Sequence, residues 1–226
     1  MKIVVLSGAG ISAESGIQTF RGGNGLWDSY RIEDVASIEG WHRNKKLVLD
    51  FYNQRRKELE KAEPNFAHIA VARLEKKYDV TVITQNIDNL HEKGGSSNII
   101  HLHGEATKAR SEKTPYAPTF DIGYKEIHLG DLAPDGGQLR PHIVWFGEEV
   151  PQLQRAAKEV ETADILIIIG TSLNVYPAAG LVNYTKENCK IYLIDPEPIN
   201  IRAKNFIQIQ KPATKGMEEL LEILGC

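Results

Sequence analysis

Cysteine is nearly absent from this chain, which has only Cys189 and Cys226 among its 226 residues. Two cysteines so far apart supply neither a metal cluster nor a disulfide framework. Long apolar runs are also missing, so no membrane span and no membrane partner are predicted. An excess of positive charge is missing too, because the formal net charge is −3. Nucleic-acid binders normally carry a basic stripe, so a nucleic-acid partner is not expected either.

No secretory signal precedes the first apolar segment, which begins at Ile3. Together with the scarcity of cysteine, this predicts a location in the reducing cytoplasm. A chain of 226 residues is long enough for one domain with a sizeable insertion and a hydrophobic core of its own. We therefore expect a single cytoplasmic catalytic or binding domain, present as a monomer.

Short apolar segments rich in β-branched residues recur along the chain. They lie at residues 3–7, 80–84, 99–102, 165–170 and 191–195. Such segments are typical of a parallel sheet covered on both faces, and helical patterns lie between and after them, at 65–77, 153–162 and 216–224. The predicted fold class is α/β with a doubly wound parallel sheet. A further apolar run at 142–146 fits either a strand at the sheet edge or a loop that pairs with a ligand.

Two segments interrupt this alternation. Residues 31–63 show helical patterns that carry Trp41, Phe51 and Tyr52, and residues 106–139 are polar and rich in proline and glycine. We interpret them as two insertions that together form a smaller lobe. The larger, sheet-containing lobe then consists of residues 1–30, 64–105 and 140–226.

A glycine-rich turn follows the first predicted strand. Gly8, Gly10 and Ala13 match the G-x-G-x-x-G/A pattern, in which glycines let backbone N–H groups approach a pyrophosphate. Gly16 interrupts the helix soon after it begins, which is unusual for a dinucleotide-binding turn. A plain turn after a strand remains the alternative at this point.

Polar residues follow most of the predicted strands. Ligands of parallel sheets bind beyond the carboxyl ends of the strands, so these residues predict a site at one edge of the sheet. Asn, Asp, Ser and Gly also favour ordinary turns, which accounts for any one of these positions but not for all together. The residues are Gln85, Asn86, Asp88, His103, Gly170, Thr171, Ser172 and Asp195.

Five strings resemble, in order and spacing, the motifs of the sirtuins, the NAD-dependent protein lysine deacylases. They are GAGISAESGIQTFRG, QNID, HLHGE, LRPHIVWFGE and GTSLNVYPAA. The resemblance implies a Rossmann-like domain, a small lobe made of two insertions, and a cleft that binds NAD and an acyl-lysine protein or peptide. It also implies that NAD is consumed. The acyl oxygen attacks C1′ of the nicotinamide ribose and nicotinamide leaves, so free lysine and an O-acyl-ADP-ribose are the further products.

The same resemblance implies roles for individual residues. His103 is the general base, although on composition alone His101 could take that role equally well. Asn86 and Asp88 hold the nicotinamide. Phe20 and Arg21 belong to a loop that closes over the cofactor, and Asp195 stands where the family usually has Asn. The implied cofactor-binding residues are Gly8, Ala9, Gly10, Ser12, Ala13, Thr19, Phe20, Arg21, Trp27, Gln85, Asn86, Ile87, Asp88, Gly170, Thr171, Ser172, Asp195, Pro196, Glu197 and Ala213.

The implied substrate site has two parts. Val144, Phe146, Gly147 and Glu148 resemble the segment that pairs with the substrate backbone, and Trp145 fits a plain core role as well as a ligand role. Tyr52 and Arg55 share one helix face and match the Tyr-x-x-Arg pair of sirtuins that prefer succinyl, malonyl or glutaryl lysine. A guanidinium can bind the distal carboxylate bidentately. The alternative is that Arg55 and Arg56 belong to a solvated charged face.

The zinc ligands of the family are missing. Sirtuins usually hold the small lobe with two CxxC pairs, a tetrahedral zinc site. Here Ser111, Thr114, Leu132 and Asp135 occupy the corresponding places, so we predict no zinc and no other metal. The lobe is expected to rely on proline and on apolar packing instead. The residues concerned are Pro115, Pro118 and Pro134 with Tyr116, Phe120, Tyr124, Ile127 and Leu129.

Two other functions fit parts of this pattern. One is a protein ADP-ribosyltransferase that cleaves the same nicotinamide bond, and the other is a non-catalytic module that binds NAD or acyl-lysine. His103 together with Asn86 and Asp88 argues against the module. The pair of Tyr52 and Arg55 favours the deacylase.

Overall fold

A computed structural model describes residues 1–18, 30–114, 116–199 and 205–226. Its described strands are β1 (Lys2–Ser7), β2 (Asp79–Thr84), β3 (Ile99–His101), β4 (Gly104–Ser111), β5 (Thr119–Asp121), β6 (Leu139–Ile143), β7 (Ile165–Ile169), β8 (Lys190–Ile194) and β9 (Phe206–Ile209). The described α-helices are α1 (Ile32–Val35), α2 (Ile38–Arg43), α3 (Lys45–Lys61), α4 (Phe66–Leu74), α5 (Leu90–Lys93), α6 (Leu153–Glu161) and α7 (Ala213–Leu224). 3-10 helices span Ala9–Ser15 and Ala178–Tyr184. None of the helices described in these ranges is long and apolar enough to cross a membrane.

The main sheet has six strands in the order β3-β2-β1-β7-β8-β9, and every neighbouring pair is parallel. The predicted α/β class and all the predicted strands of this sheet are confirmed, whereas β9 was not predicted. The strand order reverses between β1 and β7. The carboxyl ends of these two strands therefore border the crevice in which such sheets bind ligands.

Apolar residues cover both faces of this sheet. In β1, Ile3 and Val5 point into one core layer, and Val4 and Leu6 point into the other. Helices α4 and α7 close the first layer, and α6 with the 3-10 helix Ala178–Tyr184 closes the second. Burial on both sides explains why the strands read as continuous apolar runs rather than as alternating patterns.

A second sheet of three antiparallel strands has the order β5-β4-β6. The run at 142–146 is not an edge strand of the main sheet. Its first residues end β6, and the remainder continues as a loop. The sequence pattern could not show this, because β6 pairs with β4 far away along the chain.

Helices α2 and α3 pack on the small sheet and share one core with it. Asn44 begins α3, where its side chain accepts a hydrogen bond from the Leu47 N–H at 3.1 Å. The shared core contains Trp41, Val48, Leu49, Phe51, Tyr52, Ala109, Ile127, Ile143 and Trp145.

The expected apolar support of the second insertion is confirmed for Ile127, which is buried, and wrong for two residues. Tyr116 is 77% exposed and Leu129 is 54% exposed, so neither stabilises the lobe by packing. Pro115 lies outside the described residues.

Candidate functional site

The glycine turn after β1 packs directly on the turn after β7. The Gly8 N–H donates to the Ile169 carbonyl at 3.0 Å, and the Gly10 N–H donates to the Gly170 carbonyl at 2.8 Å. A Cβ on Gly10 would lie 2.6 Å from the Gly170 Cα. These glycines are therefore required by a backbone-to-backbone contact. The N–H groups of Gly8 and Gly10 are bonded within the protein, and contact of this turn with a pyrophosphate stays a prediction.

The 3-10 helix Ala9–Ser15 carries Ala9, Ser12 and Ala13 along this edge and ends at Gly16. Gly16 has φ +83°, a left-handed conformation that favours glycine, so the predicted interruption at this position is confirmed. Thr19, Phe20, Arg21 and Trp27 lie outside the described residues. The predicted covering loop therefore stays a prediction.

Ser12, Asn86 and Asp88 form a buried cluster at the carboxyl ends of β1 and β2. The Ser12 hydroxyl donates to Asp88 Oδ2 at 3.0 Å and accepts from Asn86 Nδ2 at 3.2 Å. Asn86 Nδ2 also donates to the Gly8 carbonyl at 3.2 Å. Burial raises the pKa of Asp88, against the opposing hydrogen bonds from the Leu90 N–H and Ser12. The cluster presents an amide beside a carboxyl group, the combination expected for a carboxamide.

Below this cluster lies a second layer of polar residues that the sequence analysis missed. The Thr84 hydroxyl accepts from the Asn86 N–H at 3.0 Å and from Ser7 Oγ at 2.9 Å. His91 Nε2 lies 2.8 Å from Ser7 Oγ, and its pKa is lowered well below the ordinary value by burial. Ser7, Thr84 and His91 are buried residues of β1, β2 and α5. In the sequence, only their polar side chains at core positions could have indicated that they belong to the site.

A buried histidine also supports Ser12 from α4. His68 Nε2 lies 3.4 Å from Ser12 Oγ, and its ring centroid lies 5.1 Å from that of His91. Burial lowers the pKa of His68 to about 4. Both rings are therefore neutral near pH 7, so they pack against each other without charge repulsion between them.

His103 lies just beyond β3 with one ring nitrogen committed. Its Nδ1 is 3.0 Å from the Gln85 carbonyl oxygen, which can only accept, so Nδ1 carries the proton and Nε2 carries the lone pair. Burial lowers the pKa of His103, against the opposing Gln85 bond. Gln85 Nε2 in turn donates to Thr171 Oγ1 at 3.1 Å, and the Val144 N–H donates to the His103 carbonyl at 2.9 Å. The ring has the tautomer and charge of a general base.

His101 has different surroundings, so the structure separates two histidines that composition could not. Its Nδ1 lies 3.3 Å from the Asn86 carbonyl and its Nε2 lies 2.7 Å from Glu92 Oε1. Among the described residues, Glu92, His101 and Glu105 bring possible ligand atoms within 4.8 Å of one another. Because His101 is bonded to Glu92, and Glu105 to Lys108 at 2.9 Å, we assign no metal to this group.

The far end of the sheet edge carries the remaining predicted cofactor residues. Gly170 has φ +64°, and a Cβ there would lie 2.2 Å from the Ile11 nitrogen. Asp195 follows β8 and accepts from the Glu197 N–H at 3.0 Å. The structure brings these residues to the same edge as Ser12 and Gln85. The other predicted positions at this edge are Ile87, Thr171, Ser172, Pro196 and Ala213, the last being the first residue of α7.

The segment 144–148 is largely bonded within the protein. The Phe146 N–H donates to the Ala36 carbonyl at 2.9 Å, and the Ile38 N–H donates to the Phe146 carbonyl at 3.0 Å. The main chain of Phe146 is thus occupied, although its side chain is 52% exposed. Trp145 is 2% exposed and packs on Trp41 with ring centroids 5.3 Å apart, which favours the core role over the ligand role.

The Glu148 carboxylate lies between two buried arginines. It accepts from Arg140 at 2.7 and 2.9 Å and from Arg110 at 3.3 Å, and it also accepts from the Trp145 N–H at 2.9 Å. The Arg140 guanidinium stacks 3.5 Å from the centre of the Trp145 ring. Sequence reasoning predicted contact between Glu148 and a substrate. In the structure, the Glu148 carboxylate stabilises the turn 145–148 through the Trp145 N–H and is paired with Arg140.

Tyr52 and Arg55 lie on the inner face of α3. The Tyr52 hydroxyl accepts from Trp145 Nε1 at 2.9 Å, and Arg55 bonds Glu58 at 2.9 Å and the Gln18 carbonyl at 3.2 Å. Arg55 is 7% exposed and Arg56 is 0% exposed. The alternative of a solvated charged face is therefore wrong for both arginines.

Hydrogen bonds hold two of the residues that the sequence analysis predicted in place of zinc ligands. Ser111 Oγ donates to Asp135 Oδ1 at 2.9 Å, and the Gly137 N–H donates to the same oxygen at 2.9 Å. The Thr114 carbonyl accepts from Arg110 at 3.1 Å. Leu132 is exposed and forms an isolated bridge to Gln138.

With this geometry in place, comparison with known proteins identifies the family. The model of the Sir2 family matches residues 8–177, which include the glycine turn, His103 and Glu148. The chain belongs to the Sir2 family.

Relatives within the Sir2 family match over nearly their whole length. A protein of Bacteroides thetaiotaomicron named NAD-dependent protein deacylase is 54% identical over 98% of this chain and 97% of its own. A protein of the same name from Helicobacter pylori (strain J99) is 53% identical over 97% of this chain and 93% of its own.

Solved structures of Sir2 proteins share the fold. A Sir2 homologue in complex with NAD superposes with a TM-score of 0.88 at 38% identity, covering 99% of this chain and 89% of that one. A Sir2 protein with a deacetylated p53 peptide and 3′-O-acetyl-ADP-ribose superposes with a TM-score of 0.81 at 29% identity, covering 99% and 93%. These agreements confirm the Rossmann-like Sir2 fold with its small antiparallel lobe.

Proposed function

We propose that this protein is an NAD-dependent protein lysine deacylase that yields nicotinamide, an O-acyl-ADP-ribose and free lysine. One observation carries the proposal: the Gln85 carbonyl holds His103 in the tautomer of a base. The next residue, Asn86, belongs to the buried cluster with Ser12 and Asp88, so the base and the cluster are neighbours. The names of the relatives support the same activity.

The polar groups at the sheet edge fit NAD as a co-substrate. NAD supplies the ribose carbon that takes up the acyl oxygen. Asn86 and Asp88 would hold the carboxamide, because an amide oxygen and a carboxylate both accept from its NH₂ group. His103 Nε2 would accept a proton from a ribose hydroxyl. Gln85, Thr171 and Ser172 would bind hydroxyl or phosphate oxygens, and Asp195 would accept from the adenosine ribose.

For the acyl group, we propose that succinyl and malonyl lysine are preferred over acetyl lysine. Burial raises the pKa of Tyr52, so the phenol stays protonated, and its oxygen already accepts from Trp145. The Tyr52 proton can therefore be donated to a substrate carboxylate. Arg55 is buried while its partner Glu58 is 41% exposed. A substrate carboxylate could replace Glu58 there and keep the guanidinium paired.

We also propose that the small lobe, residues 31–63 and 106–139, is stable without zinc. The hydrogen bond between Ser111 and Asp135 supports this, since it joins the two strand connections that a metal would otherwise join. The sequence further suggests a cytoplasmic monomer that acts on acyl-lysine proteins.

Mass spectrometry of one incubation tests the activity. The protein is mixed with NAD and with either a succinylated or an acetylated peptide. A deacylase yields unmodified peptide and an acyl-ADP-ribose of matching mass. A gain of ADP-ribose on protein would instead indicate a transferase, and no change in either would indicate a binding module.

The acyl preference is tested by Arg55→Met. Loss of a hydrogen bond to a charged group is worth about 1.5–3 kcal/mol, so kcat/KM for the succinylated peptide should fall about 10- to 100-fold. With the acetylated peptide it should change less than about twofold, because no carboxylate is there to bind. Lys57→Met on the same helix is the matched control, as Lys57 is exposed and pairs with Glu126. Equal losses on both peptides would refute the assignment.

A further inference from the structure

His101 bridges helix α5 and the loop that carries Asn86. Its ring is mostly buried, with Nδ1 3.3 Å from the Asn86 carbonyl and Nε2 2.7 Å from Glu92 Oε1. Asn86 is itself bonded at three further points, to Thr84, Gly8 and Ser12. The Thr84 bond holds the Asn86 N–H and the other two hold its side chain, so the His101 contact adds a bond to the Asn86 carbonyl.

Both partners of the His101 ring can only accept. A carbonyl oxygen has no proton, and Glu92 is a carboxylate whose pKa is held low. Burial alone would raise the pKa of Glu92, but the hydrogen bond and the charge of His101, together with smaller contributions such as the charge of Lys108, outweigh that effect. A neutral imidazole has a single N–H and would leave one acceptor facing a bare nitrogen. Only the imidazolium ion satisfies both contacts.

We propose that His101, as an imidazolium ion, is a positioning residue that fixes the Asn86 main chain and so shapes the nicotinamide pocket. Its catalytic consequence rests on the proposed function, whereas its protonation state and its effect on folding do not. His103 next along the motif stays a neutral base. The two histidines of HLHG therefore carry different charges for different tasks.

Titratable groups face His101 from three elements packed around it. Helix α5 presents Glu92 and the neutral His91, the loop after β2 presents Asp88, and β4 presents Glu105, which is paired with Lys108. Burial lowers the pKa of His101, but the bond and charge of Glu92, followed by Glu105, raise it above its ordinary value overall.

The sign of the pH dependence follows from this raised pKa. Stabilisation by the bridge is complete below the unfolded-state pKa of about 6.5 and is lost as pH rises through the higher folded-state pKa. The bridge thus holds below about pH 6.5 and weakens as pH rises through the folded-state pKa of His101.

Nitrogen-15 NMR of the histidine rings tests the proposal without any activity. At pH 7 the His101 ring should show two protonated nitrogens and a titration midpoint above about 6.5. Glu92→Gln should lower that midpoint by about one unit or more, since a carboxylate partner is lost. A bare His101 nitrogen at pH 7, or an unchanged midpoint in Glu92→Gln, would overturn the assignment.

The consequence for the pocket is tested by kcat/KM for NAD against pH. His101→Gln should lower it about tenfold at pH 7, an effect equal to one pKa unit of interaction. It should also remove the decline at higher pH that the proposal predicts for the wild type. Glu92→Gln should move that decline to lower pH. His128→Gln is the control, because His128 is exposed and its ring pairs with Glu126 rather than with any residue of the Asn86 cluster. An equal loss at every pH would leave His101 a merely structural residue and refute the positioning role.

Discussion

Replacing Glu148 by Gln removes one charge from a buried cluster while keeping the shape of the side chain. Glu148 is mostly buried, and the side chains of Arg140 and Arg110 are 2% and 5% exposed. The Gln oxygen can still accept from the Trp145 N–H, so the turn keeps that hydrogen bond. What is lost is the only carboxylate that the structure pairs with these two guanidinium groups in the described residues.

The expected destabilisation is large. Removing one partner of a buried ion pair leaves an uncompensated charge and costs about 3–5 kcal/mol, against about 5–15 kcal/mol for the stability of a whole domain. In urea, with a slope of about 3 kcal/mol per molar, the midpoint should fall by about 1–1.7 M. Stacking of Arg140 on Trp145 should weaken as well, which makes tryptophan fluorescence a direct reporter.

The matched control is Asp50→Asn, which removes the exposed pair of Lys46 and Asp50. An exposed pair on a helix is worth about 0.3–0.5 kcal/mol, so this variant should unfold almost as the wild type does. If Glu148→Gln lay within about 0.5 kcal/mol of that control, the buried pairs would contribute no more than exposed ones and the reasoning would be refuted.

A pH series adds a second, independent check. Burial would raise the pKa of Glu148, but the bonds and charge of Arg140 outweigh it and hold the pKa below its ordinary value. The stabilisation is therefore present above the unfolded-state pKa of about 4.3 and is lost as pH falls through the lower folded-state pKa. The wild type should lose its advantage over Glu148→Gln only in that acidic window.

Two further predictions concern the base and the small lobe. His103→Gln should lower kcat about 10²- to 10⁴-fold. In the wild type, the acidic decline of kcat/KM should have its midpoint below about 6.5, because burial lowers the pKa of the base. A midpoint above that value in the peptide assay would contradict the assignment. Elemental analysis of the purified protein should find no stoichiometric zinc, and one zinc per chain would contradict the proposal. Ser111→Ala should lower the free energy of unfolding in urea by about 1 kcal/mol, since one hydrogen bond to Asp135 is lost.

The main sheet could be predicted because its strands are buried on both faces. Burial of that kind leaves a continuous apolar run in the sequence, as in Ile165–Ile169, and no knowledge of the partner strand is needed. Strand β9 was missed because Phe206–Ile209 mixes polar and apolar residues at the edge of the sheet. The small sheet was missed because β6 pairs with β4 across residues 112–138, and because β4 and β5 are not continuous apolar runs.

The sequence by itself determined the α/β class, the edge of the sheet that carries the polar residues, and the family motifs, because each of these depends on residue type and spacing along the chain. Only the tertiary structure decided what these residues do. Packing of the β1 turn on the β7 turn decided why Gly10 is glycine, and Gln85 and Glu92 decided which histidine is neutral and which is charged. Hydrogen-bond partners, burial and hence protonation depend on groups that are distant in sequence and adjacent in space, and folding alone brings those groups together.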